Sequence, residues 1–335
     1  MEFLADYGLF LLKAVTIVVA IGLVVGLIAS AGQKQKSNLP KLINLNEKLS
    51  KVKEHFEDQT IDKKVLKKKR KESKKEEKSD KADRPICYVM DFHGDIKASQ
   101  VEQFKQDVTA ILSLEQDIDE VIVRLESGGG MVHQYGYAAA QIERLRAKGI
   151  RVTVCVDRVA ASGGYMMACV ADQVVAAPFA VLGSIGVIAQ VPNVHRLLKK
   201  NDIDFEVHTA GEYKRTLTVF GENTDKARKK FKDDLNEVHV MFKEFVSKYR
   251  PELDVVKVAN GDVWYGNQAK EMGLIDRIET SDGYLLESSL TKTLIQIKHE
   301  PKKTVAKKLG LGTQVALEKA GESLIEKLAH KRWFV

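Results

Sequence analysis

Residues 160–167 read Ala-Ala-Ser-Gly-Gly-Tyr-Met-Met and place one serine, Ser162, between small residues and an apolar segment typical of a helix. A serine at a helix N-terminus lies beside unpaired backbone N–H groups and the positive end of the helix dipole, which stabilise negative charge. Small neighbours leave room for a substrate carbonyl group. The octet is therefore compatible with a serine nucleophile, although an ordinary helix N-cap is the commoner use of serine at such a position.

A glycine-rich loop follows a predicted strand and precedes a predicted helix, with the sequence Leu125-Glu126-Ser127-Gly128-Gly129-Gly130. Glycines there allow backbone dihedral angles that other residues avoid, and they let main-chain N–H groups converge on a ligand. The loop lacks the Lys-Ser/Thr of a phosphate-binding loop, and three glycines alone are a weak dinucleotide signal. An oxyanion hole and a plain flexible turn remain as the two interpretations.

A serine nucleophile needs a base, and the chain offers a lysine or a histidine. Lys214 lies in a polar turn that follows a predicted strand at 204–209. A lysine can act as a general base when partial burial lowers its pKa, but by itself this position is typical of a surface lysine. A Ser-His-Asp triad would instead need a histidine near Ser162. His133 and His195 are the best placed, and neither lies in a glycine-rich or turn motif.

Strands and helices alternate along the middle of the chain. This βαβ pattern predicts an α/β fold with a largely parallel sheet covered by helices. The predicted strands are 86–92, 121–125, 151–156, 173–177, 184–189, 204–209 and 274–278, and the predicted helices are 99–114, 131–148, 160–171, 224–249 and 267–273.

The N-terminal segment 14–31 carries no charged side chain and is long enough to span a bilayer. Ala29-Ser30-Ala31 resembles the cleavage site of a signal peptide. The residues before the apolar segment include Glu2 and Asp6 rather than a basic cluster. We therefore expect an uncleaved transmembrane anchor.

The net charge of +7 is not spread over the chain, because residues 33–84 carry +8 and the remainder carries −1. A nearly neutral folded part gives no argument for nucleic-acid binding. The lysines of this segment could lie on anionic lipid headgroups or form a solvated tether.

These features divide the chain into an anchor at 1–32, a basic charged linker at 33–84, a catalytic domain at 85–290, and a basic tail at 291–335 with a C-terminal amphipathic helix.

The three cysteines are Cys87, Cys155 and Cys169, and each lies in an apolar segment. Their odd number and the absence of CxxC spacing argue against a disulfide framework or a zinc site. We expect them to be buried small hydrophobic residues.

Four motifs in order and in register carry a family resemblance. They are 125–132, 159–168, 183–187 and 211–218. Together they resemble the membrane-anchored serine peptidases of the signal peptide peptidase A/SohB family, and the resemblance runs from the anchor to about residue 290. It implies a ClpP/crotonase-like fold of repeated βαβ units and an endopeptidase that works through a Ser-Lys dyad and an acyl-enzyme.

The resemblance also assigns roles to residues. It implies that Ser162 is the nucleophile, that Lys214 is the general base, and that Ser184 supports the lysine by hydrogen bonding. The oxyanion hole would be formed by the backbone N–H groups of Gly129 and Gly163, and neither a metal nor a cofactor is needed. The family loop usually reads Ser-Pro-Gly-Gly, whereas Gly128 occupies the proline position here. Glycine makes a loop less preorganised than a compatible proline does.

The same resemblance implies unfolded or apolar peptide substrates, a homo-oligomer, contact with the lipid bilayer and no nucleic acid. It implies the inner membrane of a bacterial cell. Lysines after the anchor and unpaired cysteines indicate a domain on the cytoplasmic face. The resemblance indicates the periplasmic face, which we adopt as the expectation. A catalytically silent membrane scaffold and an acyl-thioester enzyme using Glu126 are the rival interpretations.

Overall fold

The protein is described by a computed structural model that covers residues 7–18, 20–21, 39–67 and 84–299. Residues 7–18 and 20–21 are helical. No helix within these ranges is both long and apolar enough to cross a membrane. Most of the predicted anchor, residues 33–38 and 68–83 of the predicted linker, and residues 300–335 of the predicted tail lie outside the described residues.

Strands and helices alternate from Lys41 onward. The strands are β1 (Lys41–Asn44), β2 (Ile86–Gly94), β3 (Ile118–Ser127), β4 (Arg151–Val156), β5 (Val159–Ala161), β6 (Gln173–Ala176), β7 (Val181–Gly183), β8 (Val263–Tyr265), β9 (Arg277–Ile278) and β10 (Thr293–Lys298). The helices are α1 (Leu45–Thr60), α2 (Val101–Leu112), α3 (Val132–Ala147), α4 (Gly163–Ala168), α5 (His195–Lys200), α6 (Asp225–Tyr249), α7 (Val255–Val258), α8 (Gly266–Glu271) and α9 (Ser281–Ser288).

The sheet has the strand order β1-β10-β2-β3-β4-β6-β9. Every neighbouring pair along this path is parallel except β1 with β10. A side branch leaves β3 through β5 and β7 and ends in the antiparallel pair β7–β8. The predicted α/β class with a largely parallel sheet is therefore confirmed.

Both faces of the sheet are buried, as a parallel sheet requires. Met90 and Phe92 of β2 point to the face covered by α2, α3 and α4, where they join Phe104 and Ile142 in the main core. Alternate residues such as Val89 point to the opposite face, where a smaller core is covered by α1 and α9. The central strands are apolar on both faces for this reason, and they form a rigid platform.

The folded unit extends beyond the range predicted for the catalytic domain. β1 and α1 come from the segment predicted as a linker, and β10 follows residue 290. Leu42 and Ile43 of β1 pair with Ile297 and Gln296 of β10, so the two ends of the folded part meet at one edge of the sheet. Asn44 accepts a hydrogen bond from the Glu47 N–H and caps α1.

The predicted strand at 274–278 forms only as β9, and three further predicted elements are wrong in detail. The predicted helix at 160–171 begins only at Gly163, because the preceding residues pair with β3 and β7 as strand β5. The predicted strand at 184–189 is irregular, since the strand ends at Gly183, where φ is 89°. The predicted strand at 204–209 is also irregular, and its alternating apolar side chains are exposed. A strand needs a partner, and none in the described part of the chain pairs with 204–209.

The long helix α6 matches its prediction and is fixed at both ends. Thr224 caps its N-terminus by accepting a hydrogen bond from the Ala227 N–H at 3.2 Å. At the other end Arg250 makes two hydrogen bonds to Asp276, at 2.8 and 2.9 Å. This pair holds α6 against the sheet, so that its apolar face can form one wall of the site.

Candidate active site

Ser162 lies at the junction between β5 and α4. The residue before it, Ala161, pairs with Gly183 of β7. The Ser162 N–H donates a hydrogen bond to the Gly183 carbonyl at 2.8 Å, and its own carbonyl accepts one from the Met166 N–H at 2.9 Å. The sheet on one side and the helix on the other therefore determine where this serine lies.

The backbone of Ser162 is strained, with φ of 51° and ψ of −118°. A non-glycine residue in such a region costs on the order of 1–3 kcal/mol and persists only where the surroundings enforce it, often at functional sites. Its side chain does not cap α4. A strained serine at a strand–turn–helix junction, with no hydrogen bond from its side chain to the helix, is compatible with a nucleophile elbow.

The glycine loop lies directly against this serine. A Cβ atom at Gly129 would lie 2.6 Å from the Gly163 nitrogen and 2.8 Å from the Ser162 Cβ, and φ there is +88°. A Cβ atom at Gly163 would lie 2.4 Å from Cγ of Tyr135. Only glycine fits at either position. Gly163 is also the first residue of α4, so its N–H has no partner within the helix.

Ser184 follows β7 as Ser162 follows β5, and the two strands are paired in register. It also has a positive φ, of 50°, and its N–H donates to the Asp262 carbonyl at 2.6 Å. The fold therefore brings the predicted residues Ser162, Ser184, Gly129 and Gly163 to one edge of the sheet.

Lys214 is not part of this cluster. It is exposed in the irregular segment 201–223, where its N–H donates to the Gly211 carbonyl at 3.2 Å. Within the described ranges no side chain is hydrogen-bonded to the Ser162 hydroxyl. Neither of the two histidine candidates is hydrogen-bonded to Ser162 in the described residues: His133 is exposed on α3, and His195 lies 3.3 Å from the Phe220 carbonyl.

A groove leads away from Ser162 and has a volume of about 230 Å³. Its walls are almost entirely apolar, and α6 contributes one whole side. The lining residues are Gly130, Val132, Gly136, Ser162, Gly163, Met166, Gly186, Val187, Val238, Met241, Phe242 and Phe245. An extended apolar side chain next to a cleavable bond would fit this space.

The groove residues of α6 were not predicted, although the sequence contains a signal for them. Val238, Met241, Phe242 and Phe245 have the spacing i, i+3, i+4 and i+7, which places them on one helix face. The pattern predicts a buried face but does not tell which neighbour covers it. In the fold this face borders the Ser162 groove.

The cysteines take no part in the site. All three are buried and free, as expected. Burial raises the pKa of Cys169 to about 12, and burial together with the nearby Glu120 raises the pKa of Cys87 well above its ordinary value. Such thiols stay protonated and unreactive.

Glu126, the acid required by the acyl-thioester interpretation, is paired with Arg158 at 3.2 Å.

Comparison with known proteins identifies the family. The profile of peptidase family S49 matches residues 144–294, and that of the S49 N-terminal region matches residues 2–142. A "Probable protease SohB" from Haemophilus influenzae is 49% identical over 326 residues, which is 92% of each chain. Another from Buchnera aphidicola is 47% identical over 304 residues, covering 85% of this chain and 99% of that one.

Two solved structures of variants of the 1510-N membrane-bound stomatin-specific protease are also similar. They are 16% and 14% identical, with TM-scores of 0.40 and 0.43. They match 62% and 66% of this chain and 85% and 94% of theirs. The family profiles and the curated relatives identify the chain: it belongs to peptidase family S49 and is a serine-type peptidase.

Proposed function

We propose that the protein is a membrane-anchored serine endopeptidase of the ClpP/crotonase-like type, with Ser162 as the nucleophile. The observation that carries this is the strained backbone of Ser162, next to two glycines that no larger residue could replace. The N–H groups of Gly129 and Gly163 would stabilise the negative charge of the tetrahedral intermediate, as in other oxyanion holes.

Lys214 serves as the general base in this proposal. The neutral amine takes the Ser162 proton while Oγ forms a bond to the substrate carbonyl carbon. The C–N bond then breaks, the leaving amine takes the proton from the lysine ammonium, and an acyl-enzyme remains. Water attacks the ester with the same lysine as base, which releases the acid and restores the serine. Ser184 supports the lysine by hydrogen bonding.

The exposed position of Lys214 requires a movement or a partner. Ile203, Phe205 and Val207 on the same segment are exposed apolar residues, which a monomer rarely displays together. We infer that assembly of a homo-oligomer buries them and brings a lysine to each Ser162. Mixing Ser162→Ala with Lys214→Ala subunits tests which chain supplies it. Activity returns in the mixture if the dyad joins two copies, and it stays absent if each chain completes its own.

The substrates are unfolded or apolar peptides. The groove beside Ser162 has few polar groups, so a peptide would gain affinity by burying apolar side chains there. Folded proteins would be excluded because the scissile bond must reach Ser162 within this groove.

The apolar segment 14–31 would anchor the enzyme in the bacterial inner membrane, with the peptidase domain in the periplasm. A fusion of alkaline phosphatase to residue 335 tests this arrangement, because that reporter is active only outside the cytoplasm. An inactive, stably expressed fusion would place the domain on the cytoplasmic face instead.

Hydrolysis of casein by the detergent-solubilised protein tests the proposed function. Ser162→Ala and Lys214→Ala should each lose roughly 10³-fold or more of the turnover, since both belong to one catalytic unit. Persistent cleavage by Ser162→Ala would contradict the proposal. The exposure of Lys214 favours a second candidate, a silent membrane scaffold, and equal inactivity of all three proteins would support it.

A further inference from the structure

A chain of hydrogen bonds runs beneath the glycine loop and ends on one of the proposed oxyanion donors. The Tyr135 hydroxyl donates to the Asp95 carbonyl at 2.7 Å and lies 2.5 Å from Ser127 Oγ. The Gly129 N–H donates to Ser127 Oγ at 3.0 Å. Tyr135 and Ser127 are both buried, with exposed fractions of 0% and 2%. Four groups are therefore connected from α3 to the loop.

The direction of these bonds follows from the number of protons. The Asp95 carbonyl can only accept, so the single Tyr135 hydroxyl proton goes to it. The Tyr135 oxygen must then accept from Ser127, which uses the single proton of that hydroxyl. The remaining lone pairs of Ser127 Oγ accept the Gly129 N–H. These three bonds are mutually compatible, and they connect the Gly129 peptide to Tyr135 through Ser127.

The same tyrosine also lies under the second donor. Its ring carbon Cγ occupies the space that a Cβ atom at Gly163 would need, at 2.4 Å from that position. The ring therefore supports the start of α4, while the hydroxyl supports the glycine loop. One side chain touches both halves of the proposed oxyanion hole.

We propose that Tyr135, acting through Ser127, is a positioning residue that holds the Gly129 N–H ready for the oxyanion. This inference rests on the proposed function, because it assumes that Gly129 is an oxyanion donor. In the resting site the neutral Ser127 hydroxyl keeps the N–H in place. A developing oxyanion is the stronger acceptor and takes that N–H over during the reaction.

The bonds from Tyr135 and Ser127 restrict the backbone of the glycine loop, which lacks the proline usual in the family. Gly128 stands at that position and does not have a positive φ. A glycine there permits more backbone conformations than proline would. The buried hydrogen bonds below the loop restrict it instead, and they do so at the residue that must be oriented.

A second buried tyrosine provides a matched control. Tyr165 is 0% exposed like Tyr135, and its hydroxyl donates to the Leu274 carbonyl at 2.9 Å. Its hydrogen bond does not reach the glycine loop. Tyr135→Phe and Tyr165→Phe each remove one buried hydroxyl and leave one carbonyl without that donor. Tyr135→Phe also removes the acceptor of the Ser127 proton, so urea denaturation of both variants separates a loss of stability from a loss of kcat.

The test compares steady-state cleavage of an apolar peptide by wild type, Tyr135→Phe, Tyr165→Phe, Ser127→Ala and the double variant Tyr135→Phe/Ser127→Ala. We expect Tyr135→Phe to lower kcat roughly 10-fold with KM unchanged, because the donor acts only in the transition state. Tyr165→Phe should stay within about 2-fold of wild type. The double variant should be no slower than the slower single variant, because both changes break one chain of bonds.

Equal kcat values for Tyr135→Phe and Tyr165→Phe, with an active wild type, would overturn the positioning role and leave the proposed function intact. Additive losses in the double variant would also overturn it. Undiminished cleavage by Ser162→Ala would instead contradict the proposed function, and the positioning role would fall with it. As a further check, Gly128→Pro in the Tyr135→Phe background should restore part of the lost kcat, and no recovery would count against the loop argument.

Discussion

Ser162 and Lys214, the two residues of the proposed dyad, lie in parts of the chain that are structured very differently. Ser162 lies between a paired strand and a helix, and its neighbours leave no space for an additional methyl group at Gly129 or Gly163. Lys214 lies in the irregular segment 201–223, exposed and without a strand or helix to hold it. In the proposed mechanism, the fold alone therefore positions Ser162, Gly129 and Gly163, whereas Lys214 must be brought to Ser162 by a movement or by a second copy of the chain.

The difference has a physical origin in the sheet. Parallel strands place their carboxyl ends at one edge, so the residues that follow β3, β5 and β7 meet there without further interactions. Segment 201–223 pairs with no strand in the described part of the chain, and Ile203, Phe205 and Val207 within it are exposed.

The largest loss of turnover is expected from a substitution in the glycine loop beside Ser162. Gly129→Ala would force a Cβ atom to within 2.6 Å of the Gly163 nitrogen, so the loop must move away from Ser162. Turnover should fall by roughly 10²-fold or more. Gly149→Ala is the control, because it has a similar φ of +78° with nothing within 4 Å of the added atom. Turnover of the control should be close to wild type, and an equal loss in both would contradict the argument.

The next largest effect is expected from a substitution in the lining of the groove beside Ser162. Met241→Asp introduces a charge into an apolar wall while the side chain remains partly in water. Apolar peptides should lose roughly 10- to 100-fold in kcat/KM, because the carboxylate must be desolvated or the side chain displaced. Val240→Asp is the neighbouring control, exposed but outside the groove lining. Equal losses for the two variants would show that substrate does not occupy this groove.

A smaller effect, on stability, is expected from removing the ion pair between Arg250 and Asp276 at the end of α6. Burial alone would raise the pKa of Asp276, but the hydrogen bonds from Arg250 and the Val174 N–H outweigh it and lower that pKa. Asp276→Asn should cost about 2 kcal/mol of unfolding free energy, measured by urea denaturation at neutral pH. The value is moderate because the carboxylate is 35% exposed.

The pH dependence of this pair has a definite sign. A carboxylate with a lowered folded-state pKa stabilises the fold above its unfolded pKa of about 3.9, and that contribution disappears as the pH falls through the folded value. The difference between wild type and Asp276→Asn should therefore be largest at neutral pH and shrink in acid. A difference that grows in acid would contradict the assignment.

The smallest effect is expected for the stability of Lys214→Ala. An exposed lysine in an irregular segment should change the unfolding free energy by no more than about 0.5 kcal/mol in urea denaturation. The same variant should lose its turnover. A large loss of stability would mean that Lys214 is already packed within the folded chain, and the contrast with Ser162 would disappear.

The sequence predicted correctly the central strands of the sheet, whose pairing partners lie in the same chain. The βαβ alternation predicted the parallel sheet, and the family resemblance implied that the loop of Gly129 lies beside Ser162. The predicted strand at 204–209 failed because alternation of apolar residues indicates a surface to be covered, and no strand of the described chain covers it. Periodicity does not tell whether a partner belongs to the same molecule.

Other features depend on long-range geometry and could not be predicted. The pairing of β1 with β10 joins residues more than 250 positions apart, and a lysine-rich segment gave no sign of it. The Tyr135 hydroxyl reaches Ser127 and Asp95 only after α3 packs on the sheet. Ser127 precedes the glycines directly, yet its role depends on a partner from the following helix.

The account is tested most directly by covalent labelling of the detergent-solubilised enzyme with a fluorophosphonate, followed by peptide mapping in a mass spectrometer. An activated serine displaces fluoride and forms a phosphonyl ester on its Oγ. We predict a single adduct on Ser162 that is strongly reduced in Lys214→Ala and absent in Ser162→Ala. An adduct on another serine, with Ser162 unmodified in an enzyme that cleaves casein, would contradict the account.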